Sequence, residues 1–152
     1  MPDQGALEHP RFRRLREYLR AKAPPGKLPG RQHVDPTELG DLLPYLMLLD
    51  VVEQPGEEPR FRIRLAGTRL VQYHGREVTG QFVEDVLSNP QAALFVAGYR
   101  NVVRTRKPEY RRATVAVPGR EHVTYERVTF PLARDGEHVD MLISVFVVER
   151  EK

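Results

Sequence analysis

The sequence predicts an α+β domain, built as one five-stranded antiparallel sheet with a helical cluster on one face and a cap helix at its N-terminal end. Three observations carry this. Two segments, "LMLLDVV" (46–52) and "MLISVFVV" (141–148), are apolar at nearly every position, as strands covered on both faces must be. Two others, "FRIRL" (61–65) and "YRRATVAV" (110–117), carry charge at some alternate positions, as half-exposed edge strands do. Between these pairs, Ala92, Phe95, Val96, Tyr99 and Val103 fall on one face of a helix over about 90–106. Strands one and five are therefore expected in the middle of the sheet, and strands two and three at its edges.

Each element has its own local signals. Residues 1–8 read as a flexible tail, and 9–149 as a single domain. Pro10 suits the first turn of a helix over 10–23, in which Phe12, Leu15 and Leu19 form a narrow stripe at i, i+3, i+7. Arg13, Arg16, Arg20 and Lys22 lie mostly away from it, and Pro24-Pro25-Gly26 ends it. Asp35 is placed to cap a short helix, with Pro36 at its first position and Glu38 completing a capping box. Strands follow at about 46–53 and 60–66, joined by "QPGEEP". After the long helix come strands near 109–117, 122–133 and 138–148, with "PG" (118–119) and "DG" (135–136) as turns.

Composition narrows the function classes. A chain of 152 residues suits one domain and can bury a core without staples. It has no cysteine, which excludes disulfides, thiolate metal sites and a thiol nucleophile. No apolar run approaches the roughly 18 residues of a membrane span, and no signal peptide is visible, so a cytoplasmic protein is expected. The net charge of +3 is uneven. Residues 1–31 hold eight basic and three acidic side chains, which leaves the remainder net acidic. Basic character thus belongs to the front helix, and no nucleic-acid motif accompanies its arginines, which argues against nucleic acid as partner. The absence of tryptophan from the narrow stripe likewise argues against a membrane.

In the phrases "LPGRQHVDPTELGDLLPYLMLLDV" (28–51), "FRIRLAGT" (61–68), "GREVTGQ" (75–81) and "YERVTFPLARDGEHVDMLI" (125–143), the chain resembles the single-domain PAS family of alphaproteobacteria, long known only as a domain of unknown function. The resemblance runs over about residues 8–149. It implies that the second strand hands over to short helices closing one wall of a cavity. Gly67 would then let the chain turn, Thr68 would cap the first short helix, and Gly75 and Gly80 would take turn conformations.

The resemblance also frames the cofactor question. Flavin-photocycle PAS domains need a reactive cysteine, which is missing here. Haem-binding ones commonly use a histidine on the long helix, where 90–106 has none, so His74 is the remaining axial-ligand candidate. The cofactor is otherwise unknown. No nucleophile motif, phosphate loop or zinc-type histidine pair appears, so the protein is expected not to be an enzyme. The rival of a small α+β-cone enzyme would need a titratable cluster in the cavity.

The candidate ligand-binding residues are Tyr73, His74, Phe95, Tyr99, Glu126 and Arg127. The four on helices would face the sheet, giving an aromatic wall with a few polar groups. Glu126 and Arg127 are alternatives set by the register of the last hairpin. With a two-residue Asp135-Gly136 turn, Arg127 faces Ser144, while Val128 and Phe130 face Ile143 and Met141. With one more loop residue, Arg127 joins Met141, Ile143 and Val145. Apolar coherence favours the first, and in both cases one charge enters an apolar face and needs a partner.

No kinase, cyclase or DNA-binding output module fits beside such a domain in 152 residues, so the expected protein is a bacterial stand-alone sensor or adaptor. It would bind a small molecule, a signalling protein partner, or both. A homodimer is expected, with Phe12, Leu15 and Leu19 at the interface, because one thin helix leaves the outer sheet face short of cover. The alternative is a pure interaction module with a filled core.

Overall fold

The computed structural model describes residues 9–75, 77–86, 90–117 and 120–150. In chain order these form α1 (Pro10–Lys22), three single 3-10 turns (Arg31–His33, Pro36–Leu39, Leu43–Tyr45), β1 (Leu46–Gln54) and β2 (Glu57–Ala66). Then follow α2 (Thr68–His74), α3 (Val83–Val86), α4 (Pro90–Thr105), β3 (Glu109–Val117), β4 (Arg120–Leu132) and β5 (Met141–Arg150). The strand order is β2-β1-β5-β4-β3, every neighbouring pair antiparallel. The two segments apolar on both faces, β1 and β5, are interior, and the charged strands β2 and β3 are the edges, as their patterns predict.

A separate core lies on each face of this sheet. On the outer face, Phe12, Leu15, Tyr18 and Leu19 of α1 pack on Leu46, Leu48, Val128, Phe130, Ile143 and Val145. Fully burying a side chain of this kind is worth about 1.5–3 kcal/mol. Such burial holds a 13-residue helix that would be marginal alone. His9 caps it through Nδ1, which accepts from Arg11 N at 3.1 Å. The helix does not cover this face unaided, because Val34, Leu39 and Leu42 of the following turns complete the layer. Phe12, Leu15 and Leu19 are at most 4% exposed. This corrects their assignment to a dimer interface, since the stripe is used up inside its own chain.

Two local expectations at the front also change. Asp35 does cap its turn, accepting from Thr37 N at 3.0 Å, but no capping box forms. The Asp35 N–H donates instead to the Tyr18 hydroxyl (2.9 Å), which itself donates to Glu38 Oε1 at 2.7 Å. Glu38 is thereby drawn onto α1, where Lys22 Nζ lies 3.1 Å from it.

The break after β2 turns on close approach. Gly67 is the N-cap of α2, and a Cβ there would lie 2.2 Å from the Leu43 carbonyl oxygen, so only glycine fits. Thr68 is the first helical residue and gives no side-chain cap, contrary to the expectation. Gly75 and Gly80 take φ of 93° and 91°, as expected of turn glycines. The chain then returns to β2, where Gly80 N donates to Ile63 O and Ile63 N to Gln81 O. That blunts part of a free edge.

The last hairpin matches neither anticipated register. Arg127 pairs with Phe146, Thr129 with Ser144 and Leu132 with Met141, so β5 starts at 141 and residues 133–140 form the loop. The face parity of the two-residue turn survives, but every partner moves by two. The loop is held from outside the hairpin: Leu28 N donates to Gly136 O, and Ala133 N to Pro29 O, both at 2.9 Å. Asp135 Oδ1 closes its tip, accepting from Glu137 N and His138 N.

Candidate functional site

The inner face of the sheet lies under α3 and α4. Its core joins Leu49, Phe61, Ile63, Val83, Phe95, Val96, Tyr99, Val102 and Leu142. Alternation along β4 sends Val128 and Phe130 to the outer core, and Arg127 and Thr129 beneath α4. Arg127 is 0% exposed and among the largest fully buried side chains. Its guanidinium carbon lies 4.8 Å from the Phe95 ring centroid and 4.4 Å from that of Tyr99.

Polar groups surround only part of this cation. Nη1 donates to Thr129 Oγ1 at 2.8 Å, and Nη2 to the Phe95 carbonyl at 3.0 Å. Thr129 Oγ1 lies 2.6 Å from Ser144 Oγ, and Ser144 also meets the Tyr99 hydroxyl. The Arg127 Nε is buried with no acceptor among the described residues. Burial lowers the guanidinium pKa, while Tyr99 and Glu109 act to raise it. An arginine begins so high that it stays charged. Burial also pushes the Tyr99 phenol up, against the opposing pull of Arg127, so it stays neutral.

The nearest carboxylate reaches the site past a glycine. A Cβ on Gly98 would stand 2.1 Å from Glu109 Oε1 and 2.6 Å from Arg127 Nη2, so both groups press into the space beside α4 that any other residue would fill. Glu109 is held in turn by Arg111 (3.0 Å) and by Asn101 Nδ2 (3.1 Å).

Of the predicted site residues, Phe95, Tyr99 and Arg127 meet directly. Tyr73 is half-buried and joins from the side, edge-on to Tyr125 at 6.5 Å. Tyr125 in turn stands 6.2 Å from Phe146, the cross-strand partner of Arg127. His74 ends α2, and its side chain lies outside the described residues, as does any test of it as an axial ligand. Glu126 does not belong to the site: it points to the other face, accepting from the Tyr110 hydroxyl at 2.7 Å. Of the two neighbouring charges, Arg127 is the one that lies beneath α4.

Sequence reasoning missed Gly98, Glu109, Thr129 and Ser144. Gly98 left a trace: a glycine inside a helix costs about 1 kcal/mol against alanine and therefore asks for a packing reason. Thr129, two residues beyond Arg127, shares its face by strand period alone. Among the described residues no three His, Asp or Glu side chains are placed to hold a metal. No described helix is long and apolar enough to cross a membrane.

An antiparallel sheet in the order 2-1-5-4-3, with short helices and one long helix over its inner face and a polar cluster sealed beneath them, defines an α+β domain of the PAS type. The chain belongs to the PAS domain family, whose model matches residues 7–151. Solved structures agree on the fold. A light-oxygen-voltage domain studied with a flavin analogue aligns at TM-score 0.57 and 15% identity, covering 76% of this chain and 84% of that one. The PAS domain of Bordetella pertussis BvgS aligns at 0.54 and 18%, covering 78% and 90%. The light-oxygen-voltage domain of the Erythrobacter litoralis EL346 blue-light activated histidine kinase aligns at 0.52 and 17%, covering 72% and 99%. No curated protein matches the chain.

Proposed function

We propose that this PAS domain is a sensor whose inner face binds a small molecule bearing a hydrogen-bond acceptor, with Arg127 as its anchor, and that it passes its state to a signalling protein by contact. One observation carries the reading: the fully buried Arg127 cation keeps its Nε–H without an acceptor among the described residues. Leaving a buried donor unmade costs about 1–3 kcal/mol, and more beside a charge. A carbonyl or carboxylate oxygen delivered beneath α4 would remove that cost. The bound compound would meet Phe95 and Tyr99, whose rings already flank the guanidinium. The reading gives the domain no catalytic step. A second copy of the chain could pair with it only through surfaces other than the α1 stripe.

A second reading has its own support. The crowding of Glu109 and Arg127 against Gly98 is that of a filled core, which suits an interaction module without a ligand. Native mass spectrometry of freshly purified protein, followed by identification of what denaturation releases, separates the two. A compound retained by the wild type and lost from Arg127→Met supports the sensor. A clean apo protein that is equally stable with and without cell extract metabolites supports the module.

A further inference from the structure

A polar cavity lies on the outer face of the sheet, opposite Arg127, where nothing in the preceding reading assigns a role. It measures about 530 Å³, within the range of small-ligand pockets, and is lined by Arg31, Leu48, Asp50, Arg64, Leu65, Arg134, Asp140 and Met141. Leu48, Leu65 and Met141 supply its apolar part. Its charged groups come from four separate stretches of chain. Arg31 stands on the first 3-10 turn, Arg64 on edge strand β2, Asp50 on β1, and Arg134 and Asp140 at the two ends of the β4–β5 loop.

The charges do not cancel. Asp50 is already matched twice, by Arg64 (3.1 Å) and by Arg62 (3.4 Å) from outside the lining. Arg31 spends one nitrogen on the Val34 carbonyl at 2.8 Å. The Arg134 guanidinium has no hydrogen-bond or ionic partner among the described residues, although its backbone carbonyl accepts from Gln32 at 3.0 Å. Asp140 is the sole carboxylate of the lining left to set against Arg31 and Arg134. Like-charged guanidiniums turned toward one cavity match the flat, bidentate acceptor geometry of carboxylate and phosphate.

We propose that this outer cavity is a binding site for a small multivalent oxyanion, a phosphate- or carboxylate-bearing metabolite, held by Arg31, Arg64 and Arg134. The site lies beyond the sensor reading and does not depend on Arg127. Its occupant would join three elements that already meet there. The linker carrying Arg31 is laced to the β4–β5 loop by the Leu28–Gly136 and Pro29–Ala133 bonds, and that linker leads back to α1. An anion bridging Arg31, Arg134 and Arg64 would tighten the front segment onto the edge of the sheet.

The test is the thermal unfolding of the full chain in sodium phosphate or in citrate, each against sodium chloride of equal ionic strength. The expected result is a saturable rise above chloride, reaching roughly 5–10 °C when the free anion is a hundredfold above its dissociation constant. Arg31→Gln and Arg134→Gln each weaken it at least tenfold, while exchange of the exposed Arg20 of α1, Arg20→Gln, leaves it intact. Asp140→Asn, which removes a repelling charge and nothing from the core, tightens binding several-fold. The stronger of the two probes tells phosphate from carboxylate as the recognised group. No response above chloride with either probe, or a response equal in wild type and the Arg31→Gln/Arg134→Gln double variant, overturns the proposal.

Discussion

Gly98→Ala would test the packing of the inner site most sharply. Two opposing effects can be sized. Alanine gains about 1 kcal/mol over glycine inside a helix. Its Cβ, however, would stand 2.1 Å from Glu109 Oε1 and 2.6 Å from Arg127 Nη2, where contacts need well over 3 Å. Neither neighbour yields cheaply. Glu109 is fixed by Arg111 and Asn101, and Arg127 is packed against two rings with Nη1 committed to Thr129 and Nη2 to Phe95. Overpacking of this kind costs about 1–3 kcal/mol. Loosening one charge-assisted hydrogen bond adds about 1.5–3 kcal/mol. The net expectation is a loss of about 1.5–5 kcal/mol, or a Tm lower by roughly 3–20 °C for a chain of this size. Urea unfolding followed by circular dichroism measures it. In a Glu109→Ala background the same substitution should cost about 1 kcal/mol less, because one of the two obstructing groups is gone. A Gly98→Ala protein as stable as wild type would refute the claim that Arg127 and Glu109 fill this space.

Other perturbations follow from the same geometry. Gly67→Ala sets a Cβ against the backbone of Leu43 and Pro44, which cannot rotate away, and is expected to cost more than about 3 kcal/mol, read as a sharp loss of soluble yield and Tm. Tyr18→Phe leaves the Asp35 N–H and Glu38 without their shared partner and should cost about 1–2 kcal/mol in the same urea assay. Acid should loosen the loops first. The carboxyls of Asp35 (bonded by Thr37), Glu38 (by Tyr18, then Lys22) and Asp135 (by the N–H groups of Glu137 and His138) are all held below their ordinary values. Groups depressed on folding contribute fully above the ordinary carboxylate range, near pH 4, and lose that contribution as the pH falls through their lowered values. Hydrogen exchange at residues 135–138 should therefore rise below about pH 4, and Asp135→Asn should flatten that dependence.

Much of this fold was legible because strand burial writes itself into alternation. β1 and β5 are apolar on both faces and sit inside the sheet; β2 and β3 alternate and sit at its edges. Long-range contacts were not legible. The Asp35 capping box fails because Tyr18, seventeen residues earlier, takes the N–H that Glu38 would have accepted. The hairpin register moves by two because residues 28 and 29 hold the loop open. Arg127 could be suspected from the sequence, since a charge interrupts an apolar strand. The role of Glu109 could not, because it reaches Arg127 only through the gap that Gly98 leaves in a helix.

The central position of β5 also fixes how the domain can assemble. It comes last of the five strands in the chain, yet it alone joins β1 to β4. Among the described residues β1–β2 and β3–β4 share no strand pairing, so before β5 docks they are expected as two separate hairpins, each with local pairing and quick to form. Closing the sheet then requires β5 to meet β1 across about ninety intervening residues, at the entropic cost of a long loop. Both faces of β5 seal at that moment, Ser144 toward Tyr99 and Ile143 toward the α1 layer. The two cores are thereby completed in one event, which makes β5 docking the step expected to limit the rate of folding.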